Sequence, residues 1–294
     1  MTTYVLVAGA WLGGWCWQPI TARLRAQGHD VHPVTLTGLG DRAHLARPEV
    51  DLDTYVDDIV NVIEFEDLHD VVLVGHSYAG LPVTAVADRI PARISLLTYV
   101  DSGPAPEGTS YLDLQPPPVK ELIDRLAREA GEGWRVPLPS WEELSDVMDA
   151  SLEGLGPDER SRMRGRAVAQ PLGTMTQPIS LRNPAREQLP KLLVTCSFPL
   201  HQVREMIASG HPWFAELAAP QWSFRELPTG HWPMFSAPDR LAALLGDLGP
   251  TRLGARGRLT GGGISPLARW PPRRAGCGSG WGRPGRPAPW SWRR

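Results

Sequence analysis

Cysteine is scarce in this chain of 294 residues, with Cys16, Cys196 and Cys277 its only three. An odd number, far apart and in no CxxC arrangement, argues against a disulfide framework and against a zinc site. Long apolar runs are missing too. None approaches the ~18 residues of a membrane helix, and no basic region precedes the apolar Tyr4-Val5-Leu6-Val7, so neither a span nor a signal peptide is expected. The expectation is a soluble, cytoplasmic protein. Lysine occurs only at Lys120 and Lys191 although arginine is abundant, which reads as coding bias rather than chemistry. Acidic residues are absent from Thr251 onward, and this absence divides the chain.

That last stretch of about 44 residues carries about 10 Arg, 10 Gly and 6 Pro, a composition unable to bury a core. Residues 251–294 are therefore read as a disordered tail and fit GC-rich DNA translated past an ancestral stop. Tryptophans at 270, 281, 290 and 292 leave an anionic or nucleic-acid contact open for the tail. The overall net charge of −2 describes neither part, since residues 1–250 hold about 20 bases against 32 acids, near −12. Such an acidic domain makes nucleic acid a poor partner. Its length suits one domain burying roughly 70–75% of its unfolded surface.

Within 1–250, short runs rich in Val and Leu alternate with helical patterns. Strands are expected at Tyr4–Val7, Asp30–Leu36, Val71–Val74, Ile94–Val100, Lys191–Cys196 and Gln221–Leu227. Helices are expected at 18–27, 53–65, 79–90, 201–208 and 238–248, with Gly28 stopping the first. Strands without polar alternation are buried on both faces, so the class is α/β, with a mostly parallel sheet covered by helices on both sides. From Ser102 to about Leu189 the rhythm changes to Pro-rich turns and helices at 119–130, 141–152 and 157–169, with no convincing strand. This is an insertion of mostly helical character.

Val71-Val72-Leu73-Val74-Gly75-His76-Ser77-Tyr78-Ala79-Gly80 puts a serine at the tip of a buried strand, immediately before a helix. A sharp strand-to-helix turn lifts the hydroxyl clear of the backbone and aims a helix N-terminus at it, provided small residues flank it. Gly75 and Ala79 fill those positions, with Ala79 standing where GxSxG has its second glycine.

This motif, together with Val5-Leu6-Val7-Ala8-Gly9-Ala10-Trp11, Gly13-Gly14-Trp15-Cys16-Trp17 and Thr229-Gly230-His231-Trp232, resembles the α/β-hydrolase superfamily. The likeness is greatest to its branch of small esterases related to plant methylesterases and hydroxynitrile lyases, and runs from about Thr3 to Leu248. That branch usually reads His-Gly-Ala where this chain has Ala8-Gly9-Ala10. The resemblance implies an α/β-hydrolase fold with a helical cap insertion at about 102–189, and no metal or organic cofactor. It puts the catalytic base at His231, between the last strand and the last helix. Of the other seven histidines, His76 reads as a packed strand-end residue, His29, His32 and His69 lie at element ends, and His44, His201 and His211 lie in loops or helix starts. The oxyanion donors would be the backbone N–H groups of Ala10 and Tyr78.

The third catalytic member stays open. The family's common acid position follows the strand Lys191–Cys196, where this chain reads Thr195-Cys196-Ser197-Phe198-Pro199-Leu200 with no carboxylate. Some members carry the acid one strand after the nucleophile, which here is Asp101, and the chain order Ser, Asp, His is then kept. Asp101-Ser102-Gly103-Pro104 is also ordinary turn chemistry. Glu226 and an acid-free dyad remain as alternatives.

Trp11, Trp15 and Trp17 cluster beside the oxyanion loop, Trp232 follows the base, and Trp134 and Trp141 lie in the insertion. Trp11 and Trp232 are candidate pocket walls for an apolar or aromatic substrate, with core filling the equal alternative. Arg42 and His44 read as surface-loop residues near the crevice. The function read from these features is a serine hydrolase cleaving a small carboxylic ester or lactone through an acyl-enzyme, its partner a small-molecule substrate. The alternative is a lyase or cyclase using the same Ser/His pair as acid and base. A cyanohydrin version also needs a lysine near the pocket, and Lys120 and Lys191 are poorly placed for it. Nothing in the sequence fixes the oligomeric state.

Overall fold

The computed structural model describes residues 1–210 and 214–248. The stretch 251–294, expected to be a disordered tail, and His211 lie outside them. The first half alternates as its apolar runs require: β1 (Thr3–Val7), α1 (Gln18–Ala26), β2 (Asp30–Val34), α2 (Leu52–Phe65), β3 (Val71–His76), α3 (Gly80–Arg89) and β4 (Ile94–Val100). Every residue of β3 is buried, as a central strand covered on both faces demands. Helix α2 starts at a capping box in which the Asp51 carboxylate accepts the Thr54 N–H at 2.9 Å, and it lays Tyr55, Val56, Ile59, Val60 and Ile63 on the sheet.

The insertion follows, with α4 (Pro117–Ala130), β5 (Arg135–Val136), α5 (Trp141–Asp146), α6 (Pro157–Arg166), β6 (Gln170–Pro171) and α7 (Gly173–Thr176). The alternation then resumes with β7 (Lys191–Thr195), α8 (Leu200–Ala208), β8 (Trp222–Glu226), α9 (Pro233–Ser236) and α10 (Pro238–Gly246). The main sheet has order β2-β1-β3-β4-β7-β8 with every pairing parallel. From β1 the chain steps outward to β2 and returns to β3 on the other side of β1. That reversal opens a crevice beyond the C-terminal ends of β1 and β3, where open α/β sheets bind ligands.

The insertion departs from expectation in two ways. It holds strands after all, because β5 and β6 pair antiparallel, Arg135 with Pro171 and Val136 with Gln170. A two-residue ladder is too short to leave a periodic signature. The helix expected over 141–152 ends at Asp146. Its start is fixed by a Ser140–Glu143 capping box, but the Met148 N–H folds back to the Glu143 carbonyl at 3.0 Å and Asp149 takes φ +53°, turning the chain toward the sheet. Helix α6 likewise stops at Arg166, where Ala167 becomes extended and carries the chain to Gln170.

Among the described residues no helix is long and apolar enough to cross a membrane. Cys16 and Cys196 are free and buried.

Candidate active site

Ser77 follows the last residue of β3 at φ +54°, a left-handed conformation that costs a non-glycine residue on the order of 1–3 kcal/mol. The turn is this tight because the chain doubles into α3 with no room beside it. A Cβ on Gly75 would lie 2.7 Å from Val83 Cγ2 and 2.9 Å from the Ala79 carbonyl oxygen. One on Gly80 would lie 2.6 Å from the Gly103 carbonyl oxygen and strike the Ser102 hydroxyl. Gly80 rather than position 79 is where β4's following loop presses on the helix, which explains why Ala79 is accommodated.

The imidazole of His231 spans Ser77 and Asp101. Its Nε2 is 2.8 Å from Ser77 Oγ and its Nδ1 is 2.7 Å from Asp101 Oδ2. The second distance settles the tautomer, since a carboxylate can only accept and Nδ1 must therefore carry the proton. Nε2 is left with its lone pair toward the serine hydroxyl. Glu226 makes a different bond, accepting the Leu200 N–H at 2.9 Å.

Asp101 closes β4 at φ +46° and is 4% exposed. Parallel pairing of β4 with β7 brings the carboxylate to the end of β7, where Oδ1 accepts the N–H groups of Cys196 at 2.8 Å and Ser197 at 2.9 Å. Oδ2 accepts the Ser197 hydroxyl at 2.5 Å. The position that lacks an acid in this chain thus supplies donors to the acid of the neighbouring strand. Burial alone would raise the Asp101 carboxyl, but the bonds from His231 and Ser197 outweigh it and hold it below the usual carboxylate range.

His76 is buried at the end of β3, and its Nε2 is 2.6 Å from the carbonyl of His231. That nitrogen donates, because the carbonyl can only accept, so His76 holds the backbone of the base. Burial, and secondly the adjacent His231, push its imidazole down to about 3, which keeps it neutral. The His231 N–H is in turn bonded to the Ser151 carbonyl of the insertion at 2.9 Å. Gly230 permits this approach, since a Cβ there would lie 2.9 Å from the same oxygen. His76, Ser197 and Ser151 escaped sequence reasoning as supports; the glycine before His231 was the one local signal.

Ala10 and Tyr78, the residues whose backbone N–H groups were expected as donors, both line the same crevice. Tyr78 is the second residue of the turn after β3, where an N–H has no acceptor within its own helix. Ala10 follows β1, and among the described residues its N–H has no protein acceptor. Next to it Trp11 takes φ +65°, with its N–H given to Gln170 Oε1 at 3.1 Å.

A cavity of about 280 Å³ opens above these groups. Its floor is Ser77, His231, Ala10 and Tyr78, and its walls are mostly apolar, including Leu81, Leu114, Val119, Val147, Met148 and Leu217. Trp11 and Trp232 line it, while Trp17 lies wholly in the core and Trp15 packs against Phe235. Trp134 and Trp141 lie under Arg135 and Arg164 on the insertion. Arg42 pairs with the buried Asp58 at 2.9 Å and is outside the cavity lining, as is His44. Lys191 is buried in β7, its ammonium on the carbonyls of Glu187 and Leu189. Among the described residues no group of three or more His, Cys, Asp or Glu side chains is arranged to hold a metal ion.

A parallel sheet with its site at the strand reversal, a strained serine between strand and helix, and a histidine arriving after the last strand define a hydrolase fold of the α/β type. The chain belongs to the α/β-hydrolase family, whose model matches residues 4–244. It is 36% identical over 257 residues to a carbendazim hydrolyzing esterase of Nocardioides sp. (strain SG-4G), covering 85% of this chain and 100% of that one. It is also 28% identical over 263 residues to Methylesterase 3 of Arabidopsis thaliana, with 82% and 93% covered. Among solved structures it resembles an extracellular α/β-hydrolase of a Paenibacillus species at 22% identity and a TM-score of 0.71, covering 85% of this chain and 100% of that one. At that identity the structural likeness speaks for the fold alone.

Proposed function

We propose that this protein is a serine esterase acting on small, apolar or aromatic carboxylic esters, with Ser77, His231 and Asp101 as its catalytic residues. The observation that carries the reading is the unbroken relay from Ser77 through His231 to Asp101, at 2.8 and 2.7 Å, at the floor of an apolar cavity. His231 Nε2 takes the Ser77 proton as Oγ bonds to the ester carbonyl carbon, and the carbonyl π pair moves onto oxygen. The N–H groups of Ala10 and Tyr78 bind that oxyanion, each donor typically worth about 3–4 kcal/mol. Collapse breaks the C–O bond to the alkoxy group, which leaves with the proton from His231. Water, deprotonated by the same imidazole, then attacks the acyl-enzyme and releases the acid, returning the proton to Ser77. Asp101 stays ionised throughout, holds the tautomer and stabilises the imidazolium.

Residues 102–189 act as a lid that shapes the acyl site, and residues 1–250 suffice for activity. Two buried free thiols favour a reducing, cytoplasmic setting. Esterase relatives over most of the chain favour hydrolysis over elimination or cyclisation.

The test is a panel of esters: p-nitrophenyl acyl esters of increasing chain length, methyl esters of aromatic acids, and the carbamate carbendazim. Turnover favouring short or aromatic esters, lost in Ser77→Ala, is expected. Turnover retained in that variant would remove the nucleophilic reading.

A further inference from the structure

Every polar group of Trp11 is held by the insertion. Its N–H goes to Gln170 Oε1 at 3.1 Å, its indole Nε1–H to the Val136 carbonyl at 2.9 Å, and its own carbonyl accepts the Val168 N–H at 2.9 Å. Trp11 is the third residue of the turn Gly9–Leu12, closed by the Leu12 N–H on the Gly9 carbonyl at 3.3 Å. A turn with φ +65° at its third residue normally has glycine there. Tryptophan pays a steric penalty that the turn's own long hydrogen bond does little to offset. The Gly9 carbonyl shares its peptide plane with the N–H of Ala10, so the turn that Trp11 strains is the one that aims this donor.

The same glutamine reaches the side chain of the residue that carries the other donor. Its Nε2–H bonds Thr174 Oγ1 at 3.0 Å, the Thr174 hydroxyl donates to the Pro171 carbonyl at 2.7 Å, and the Thr174 carbonyl accepts the Tyr78 hydroxyl at 2.7 Å. Gln170 and Thr174 are both wholly buried. A buried amide that uses its oxygen on one segment and its nitrogen on another fixes both, because breaking either bond leaves a desolvated polar atom unpaired.

We propose that Gln170 is a positioning residue for the oxyanion hole, holding the Ala10 donor through Trp11 and the Tyr78 donor through Thr174, so that the insertion completes the catalytic site as well as covering it. The proposal rests on Ser77 as nucleophile and on Ala10 and Tyr78 as donors. Gln170 does not touch substrate; its effect is on where charge develops in the transition state. Its loss should therefore weaken transition-state binding and spare binding of the ground state.

The experiment compares the wild-type chain with Gln170→Met, which keeps the side-chain length and removes both hydrogen bonds. The readouts are kcat and KM on a p-nitrophenyl ester, inhibition by a trifluoromethyl ketone, and inhibition by the product carboxylate. The ketone adds the Ser77 oxygen to its carbonyl, passes the proton to His231 and lodges an oxyanion in the hole; the carboxylate does not. Expected are a fall of about 10–100-fold in kcat and a similar loss of ketone affinity, with KM and carboxylate inhibition within about two-fold of wild type. Thr174→Val should show a smaller loss of the same kind, and Thr174→Ser should recover it; this pair decides the matter if Gln170→Met does not fold. Unchanged kcat and ketone affinity, or equal losses in every readout, would overturn the proposal. A wild-type chain that neither cleaves the ester nor binds the ketone would instead overturn the esterase reading beneath it.

Discussion

Acidification should destabilise this fold through His76, starting at pH values where carboxylates do not yet titrate. In the unfolded chain its imidazole titrates near 6.5, whereas in the folded protein burial and His231 push it down to about 3. Between those values the unfolded state binds a proton that the native state refuses, so stability falls as pH falls. The contribution is fully present above about pH 6.5 and would reach about 5 kcal/mol of loss below pH 3, at 1.36 kcal/mol per unit. Between pH 7.5 and 5.0 it amounts to about 2 kcal/mol, a sizeable share of a typical stability of 5–15 kcal/mol. His29, also lowered by burial, adds in the same direction. Urea unfolding followed by tryptophan fluorescence at the two pH values, for wild type and His76→Gln, isolates the single group. Glutamine can still donate to the His231 carbonyl and does not titrate. The variant should lose about 2 kcal/mol less than wild type over that window, whatever its stability at pH 7.5. Equal losses would refute the claim that His76 is buried and neutral.

Other consequences are open to measurement. Asp101→Asn should lower kcat by about 10³–10⁴-fold with the fold intact, while Glu226→Gln should leave ester turnover within about two-fold; the reverse pattern would reassign the acid. The depressed Asp101 carboxyl contributes stability above its unfolded value near pH 3.8 and loses it as pH falls through its lower folded value. Differential acid titration of wild type and Asp101→Asn below pH 4 should show the variant losing less. Gly75→Ala must push a methyl against Val83 and the Ala79 carbonyl, so it should cost about 1–3 kcal/mol in urea unfolding and misplace Ser77. Truncation after Pro250 should leave melting temperature and kcat unchanged; loss of either would show that the acid-free stretch serves the domain.

What could be read from the sequence was what local chemistry encodes. Ten residues around Ser77 hold a buried strand, a turn and a helix start in sequence, and the alternation of strands and helices was plain from the apolar runs. Asp101 could be named as a candidate acid but not separated from Glu226, because a carboxylate after one strand and the N–H groups after another meet only when β4 and β7 become neighbours. Thr195-Cys196-Ser197 shows no carboxylate in the sequence; that Cys196 and Ser197 are donors to Asp101 required the sheet order. Gln170 lies 159 positions from Trp11 in a two-residue ladder, with no periodicity to announce it. The exchange of glycine for Ala79 also became intelligible only in space, where Gly80 bears the close approach of Gly103.

The central claim is that Ser77 is a nucleophile activated by His231. Intact-mass and peptide mass spectrometry after exposure to a fluorophosphonate tests it most directly. The account predicts one adduct, on Ser77, absent in Ser77→Ala and strongly slowed in His231→Ala, with ester turnover lost in step with labelling. An unlabelled Ser77 in a folded chain that still hydrolyses its ester would contradict it.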